Sequence, residues 1–427
     1  MDAHVTNVSI AVAPTRFEQP GSISVDQLRT IVQDSHLNFL VGAGTPSAFF
    51  GMLGDIEDAL TTIARRDDVT DDSKAIARAS IQGYFFDKVI LPNTELLKPT
   101  PNSEANAVLR SYAIFGQTLN RILLRRRSTL LSKKVNLFTT NIDLVFEVAF
   151  ERLGVGFNDG FSGKIRPTFD LGSLSSLQYR SGVRYEHLSE IPTFDLYKLH
   201  GSIGWELLDD PTTTSDIVFD PHLSTVAATL TALVELRPEL IPINTRDDVD
   251  AEKLLVQADT MVRSNKIATF THAYDRLVIV NPEKQKFATT VLIETYYELI
   301  RRFANELEKE NSALFVMGFS FRDEHLRKLI VRAARTNPTL QIIVFCYNLA
   351  DRAAYEKLIP ELDVPNGNIL YVTPPPPTDD ADDDDDVVHF DLDTVVTQYF
   401  APLIPESTRG PDGQIELIFK TDDSGTA

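Results

Sequence analysis

Six short apolar runs, each followed by small or polar residues, constrain this chain more than any other feature. They are LNFLVG (37–42), VNLFTT (135–140), DLYKLHG (195–201), RLVIVN (276–281), ALFVMG (313–318) and IIVFCY (342–347). Runs of four to six Val, Ile, Leu and Phe residues suit strands covered on both faces, as in parallel sheets. Between them, 104–127, 142–153, 287–310 and 323–335 carry apolar residues at three- and four-residue spacing. Strands alternating with amphipathic helices predict an α/β fold, a Rossmann-like, mainly parallel sheet flanked by helices.

Two long segments interrupt the alternation. Residues 51–130 read as mostly helical, with turn signals at Pro92 and Pro99–Pro101. Residues 205–270 mix turn residues with the helical runs 223–236 and 247–262. Both are expected to be helical insertions packed together over the sheet edge. This divides the chain into a domain over 1–350 and a C-terminal extension over 351–427. Within the extension, TPPPPTDDADDDDD (373–386) has the composition of a solvated linker. The following 389–404 predicts a terminal helix that docks back, and TDDSGTA a frayed end.

In open parallel sheets, ligands sit beyond the carboxyl ends of the strands, so the residues there are the candidate site. FLVGAGTPSAFFG (39–51) places Gly42, Ala43, Gly44 and Ser47 in a strand-to-helix turn, where glycines admit a phosphate and helix amides face it. A plain tight turn reads equally well. NLFTTNIDLVFE (136–147) ends a strand in Thr140, Asn141 and Asp143, functional groups or simple helix caps. YKLHGSIGWE (197–206) puts His200 at another strand end, a base or a hydrogen-bonded structural histidine. Trp205, the only tryptophan, suits either a pocket wall or the core. FVMGFSFRDEHLRKLI (315–330) ends a strand in Gly318, with Ser320 and Asp323 starting a helix, a second phosphate- or ribose-binding turn or a plain cap by Ser320 or Asp323. Asn348, after the sixth run, could hold a ribose or adenine.

Taken in order, GAG, TTNID, LHGS, GFSFRD and YN resemble the sirtuin superfamily. They are most similar to the zinc-less sirtuin-like branch of bacterial anti-phage defence proteins. The resemblance covers about 30–60, 130–205 and 275–350. Thr140 stands where sirtuins carry glutamine, and GFSFRDEHL replaces their Gly-Thr-Ser turn. Sirtuin deacylases also carry a four-cysteine zinc module, whereas Cys346 is the only cysteine here. No such zinc module, and no metal, is expected.

The resemblance implies an NAD glycohydrolase that releases nicotinamide and ADP-ribose, with NAD as substrate. Asn141 and His200 would be catalytic. Gly42, Ala43, Gly44, Ser47, Thr140, Asp143, Gly318, Ser320 and Asn348 would bind NAD. The family further implies NAD depletion during infection, homo-oligomers and a separately encoded partner such as a HerA-type ATPase. A non-catalytic NAD or ADP-ribose sensor is the alternative, and a protein deacylase a more distant one.

Charge and composition narrow the partners. The net charge is −20, and seven of the negatives lie in 378–386. Such a body repels duplex nucleic acid, so direct binding is disfavoured. No 18-residue apolar run predicts a membrane span. The N-terminal residues lack the pattern of a secretory signal. With a single cysteine, a cytoplasmic setting is expected. RILLRRR (121–127) reads as a solvated or ion-paired face, with a subunit interface or phosphate-reading patch as the alternative, and Cys346 as a small buried hydrophobe.

Overall fold

A computed structural model describes residues 4–10, 22–51, 56–126, 130–182, 187–208, 216–245, 248–280, 290–376, 388–404 and 415–421. Its centre is a seven-stranded, all-parallel sheet. In chain order the strands are β1 (His36–Val41), β2 (Lys134–Thr139), β3 (Phe157–Asn158), β4 (Thr193–Lys198), β5 (Ser312–Met317), β6 (Gln341–Phe345) and β7 (Ile369–Val372). Their order across the sheet is β7-β6-β5-β1-β2-β4-β3. This is the expected Rossmann-like α/β architecture.

Period-two alternation explains why both faces are dry. Leu37, Phe39 and Val41 of β1, with Ala313, Phe315 and Met317 of β5, join one apolar cluster. Leu40, Leu314 and Val316 join the other. Helices α1 (Val25–Asp34), α2 (Ile56–Arg65), α3 (Asp71–Phe85), α4 (Ser103–Leu124) and α5 (Val145–Leu153) contribute to the first cluster. So do α6 (Ser224–Leu236), α7 (Ala251–Ala258) and α8 (Lys266–Tyr274). Helices α9 (Thr290–Glu308), α10 (Glu324–Thr336) and α11 (Leu349–Leu358) contribute to the second.

The two insertions meet one another. The Ser73 hydroxyl donates to Asp259 at 3.2 Å, the Ile241 amide to Ser80 Oγ at 3.0 Å, and Arg263 pairs with Asp72 at 2.9 Å. The second insertion does not begin as helix. Trp205–Leu208 and Asp216–Phe219 pair antiparallel, and Thr168–Phe169 and Phe161–Ser162 extend them into a small four-stranded sheet. Trp205 fills that corner against Phe161 and Phe169.

The run 276–281 does not enter the central sheet. Among its described residues it makes one antiparallel bridge, Ile279 with Gly201, and Asn281 lies outside the described residues. A short apolar run reports burial, and Val278 is buried, but burial alone does not specify a strand. The two remaining strands are β3 and, from the unremarked segment NILYV (368–372), β7. Residues 388–404 dock as expected, as a short helix that widens into a π turn and ends in a 3-10 turn, with Phe400 packed on Phe39 and Phe315. Of the acidic linker, residues 377–386 lie outside the described residues. An antiparallel pair, His4–Ile10 with Ile415–Thr421, was not legible from the pattern. Cys346 is buried, and burial pushes its thiol up to about 12.

Candidate functional site

Because the sheet is all parallel, every predicted site residue arrives at one edge. Asn348 follows β6, Gly318 and Ser320 follow β5, and Gly42, Ala43, Gly44 and Ser47 follow β1. Thr140, Asn141 and Asp143 follow β2, and His200 follows β4. Five neighbouring strand ends therefore carry the set, over a width of roughly 19 Å at ordinary strand spacing.

The two glycine turns are packed backbone to backbone. The Gly42 amide donates to Met317 O and the Gly44 amide to Gly318 O, both at 2.9 Å. A Cβ on Gly42 would lie 2.4 Å from Gly318 O. Gly318 has φ +61°, and a Cβ there would lie 2.3 Å from Thr45 Oγ1. The glycines are thus required by the contact between the turns. The helix expected directly after Gly44 is absent: residues 43–50 form successive turns, and α2 starts at Ile56. Ser47 Oγ donates back to Gly44 O at 2.8 Å. Among the described residues no helix begins directly after this loop, so no helix N-terminus of residues 43–51 faces it.

The loop after β2 is held from beneath. Asn141 Nδ2 donates to Gly42 O at 3.2 Å, while its Oδ1 is buried without a hydrogen-bond partner. The Asp143 carboxylate accepts the Val145 amide two residues on at 3.0 Å, a local turn just before α5, whose N-cap Leu144 has no side-chain bond. Burial raises its pKa, partly offset by Lys198. Lys198, at the end of β4, is buried and donates to the carbonyls of Asn141, at 3.3 Å, and Asp143. It also pairs with Glu147 at 3.3 Å. Burial pushes the Glu147 carboxyl up to about 7 despite that pairing. Tyr112 is buried, and burial pushes its hydroxyl well above the usual range, with the Asp143 charge adding to the rise.

His200 Nε2 lies 3.0 Å from Asp323 Oδ2. Asp323 caps α10 with its other oxygen, accepting the His325 and Leu326 amides at 3.0 and 3.1 Å. Burial alone would raise the Asp323 pKa, but the hydrogen bond and charge of His200, with those amides, hold it below its usual value. An ionised Asp323 accepts from Nε2–H, which leaves the Nδ1 lone pair free to take a proton. Strands β1 and β2 lie between β4 and β5, so the 318–323 loop folds back across their ends to reach His200. Within it Phe321 is buried at φ +57°, an uncommon conformation for an aromatic residue, with Arg327 donating to its carbonyl at 2.7 Å.

Of the other predicted residues, Ser320 is exposed and Asp323, not Ser320, caps the helix. Asn348 caps α11 by accepting the Asp351 amide at 2.9 Å. Sequence reasoning missed Lys198 and Glu147 and placed Asp323 in a ligand-binding turn or a cap without pairing it with His200. A signal existed: a lysine inside a strand covered on both faces has to find buried partners. Among the described residues there is no group of three or more metal-ligating side chains and no helix long and apolar enough to cross a membrane. Comparison of the sequence with protein-family models and with curated proteins finds no match.

Proposed function

We propose that the chain is an NAD glycohydrolase, on its resemblance to the zinc-less sirtuin-like branch. The observation that carries this reading is the His200–Asp323 pair, set at the carboxyl edge of a parallel sheet beside Asn141 and the Gly42–Gly318 contact. In the reaction, the bond between ribose C1′ and the nicotinamide nitrogen breaks, and the electron pair leaves with nicotinamide. Water adds to the cationic C1′ and its proton passes to His200 Nδ1, giving ADP-ribose. Asn141 holds the water or the ribose hydroxyls, and Asp143 the carboxamide. Gly42, Ala43, Gly44, Ser47 and Thr140 line the phosphates, and Gly318, Ser320 and Asn348 the adenosine side. The resemblance extends the proposal to NAD depletion in anti-phage defence, in the cytoplasm, as a homo-oligomer controlled by a HerA-type ATPase.

The test is release of nicotinamide and ADP-ribose from NAD by the purified chain, alone and with co-purified partners. His200→Ala and Asn141→Ala should each abolish release while circular dichroism stays unchanged. Cleavage that survives both substitutions would sink the mechanism. NAD binding without cleavage under every condition would make the chain a sensor.

A further inference from the structure

A lysine ammonium has three protons to donate. Lys198 directs its contacts to three acceptors: the carbonyls of Asn141 and Asp143 and the Glu147 carboxylate. The intervening carbonyl, that of Ile142, accepts the Ile203 amide at 3.1 Å. The Leu144 amide donates to Asn93 Oδ1 at 3.1 Å, and the Asn141 amide to Thr139 Oγ1 at 3.0 Å. The 141–144 turn is therefore clamped from three elements, and two of its three carbonyl anchors are one side chain. A buried ammonium costs several kcal/mol to desolvate, and an apolar residue here would bury at no such cost. Nor is the match with Glu147 complete, since its second carboxylate oxygen is buried without a partner.

We propose that Lys198 is a positioning residue: it holds the Asn141–Asp143 turn in its working shape. The consequence for catalysis rests on the NAD reading above, in which Asn141 and Asp143 meet the substrate. Lys198 itself acts only through them. It leaves β4 two residues before His200, so one strand sets both the proposed base and the neighbouring turn.

Lys198→Met alone strands the buried carboxylates and is liable to misfold. The double variant Lys198→Met with Glu147→Gln removes both charges and keeps the volume. In NAD cleavage by the full chain, the double variant should lose kcat on the order of a hundredfold, as misplacement of about 1 Å can cost. Its KM should move far less, and Glu147→Gln alone should keep near wild-type kcat. Wild-type kcat in the double variant overturns the proposal, as does an equal loss in Glu147→Gln. If the wild-type chain neither binds nor cleaves NAD, the hydrolase reading falls separately. Hydrogen exchange at the Asn141, Leu144 and Val145 amides then decides: at least tenfold faster exchange in the double variant supports the clamp, and unchanged exchange overturns it.

Discussion

Lys198 and His200 leave the same strand two residues apart, yet their carboxylate partners are driven in opposite directions. Glu147 sits beneath the strand ends, raised to about 7 by burial that Lys198 only partly offsets. Asp323 sits at the rim, a fifth of its side chain exposed, and is lowered by His200 and two helix amides. The difference lies in hydrogen-bond donors. Asp323 receives three, whereas Glu147 has one oxygen on Lys198 and one on nothing. A carboxylate at the rim ionises early when amides and an imidazole meet it, and a buried one with an oxygen left unpaired keeps its proton to a higher pH. In the proposed mechanism the upper pair orients a base and the lower one fixes a turn.

The largest break in this comparison should come from Asp323→Asn. Asparagine caps a helix as well as aspartate, so the chain should stay folded and the urea midpoint should fall only by what the lowered Asp323 carboxyl contributes. Its amide, however, would donate to Nε2 and move the ring proton to Nδ1. NAD cleavage should then fall on the order of a thousandfold or more. Undiminished cleavage would show that Asp323 is a cap and nothing else.

Gly318→Ala leaves both pairs intact and displaces the turn between them. Added backbone strain at φ +61° and overlap with Thr45 should together cost about 3 kcal/mol. A urea titration reads this directly, and an unchanged midpoint would contradict the turn-on-turn contact.

The smallest effect concerns pH. Folded Glu147 keeps its proton up to about 7, an unfolded glutamate only to its ordinary 4.5. Between those values the folded chain binds more protons, so stability from this group falls as pH rises, and the fall ends above about 7. Asp323 has the opposite sign: its contribution is present above its ordinary range and is lost as pH falls through its lowered folded value. Melting temperatures at pH 4–8 should therefore show a downward component in the wild type that Glu147→Gln lacks. Parallel profiles for the two proteins would place the Glu147 carboxyl back in its usual range.

Much of this architecture was legible without coordinates. Leu37, Phe39 and Leu40 announce a strand dry on both faces, and a helical pattern after each such run implies parallel crossovers. The polar residues after each run then mark one edge of the sheet. Where local pattern failed, the reasons are physical. Leu277–Ile279 are as apolar as any strand but are buried against the His200 loop. NILYV reads no differently from that run, yet it gains the sheet edge beside β6. The glycines after β1 were read for a ligand, but Gly318, 274 residues beyond Gly44, is what presses on them.

The sequence by itself determined the α/β class, five of the seven central strands, and the row of polar residues at their carboxyl ends. It could do so because burial and period are properties of neighbouring residues. Only the tertiary structure decided that His200 meets Asp323 across two intervening strands, and that Lys198 turns beneath the strand ends to hold the loop carrying Asn141. Those pairings depend on the order of strands in the sheet and on which buried charge lies within reach of which donor, and no local pattern records either.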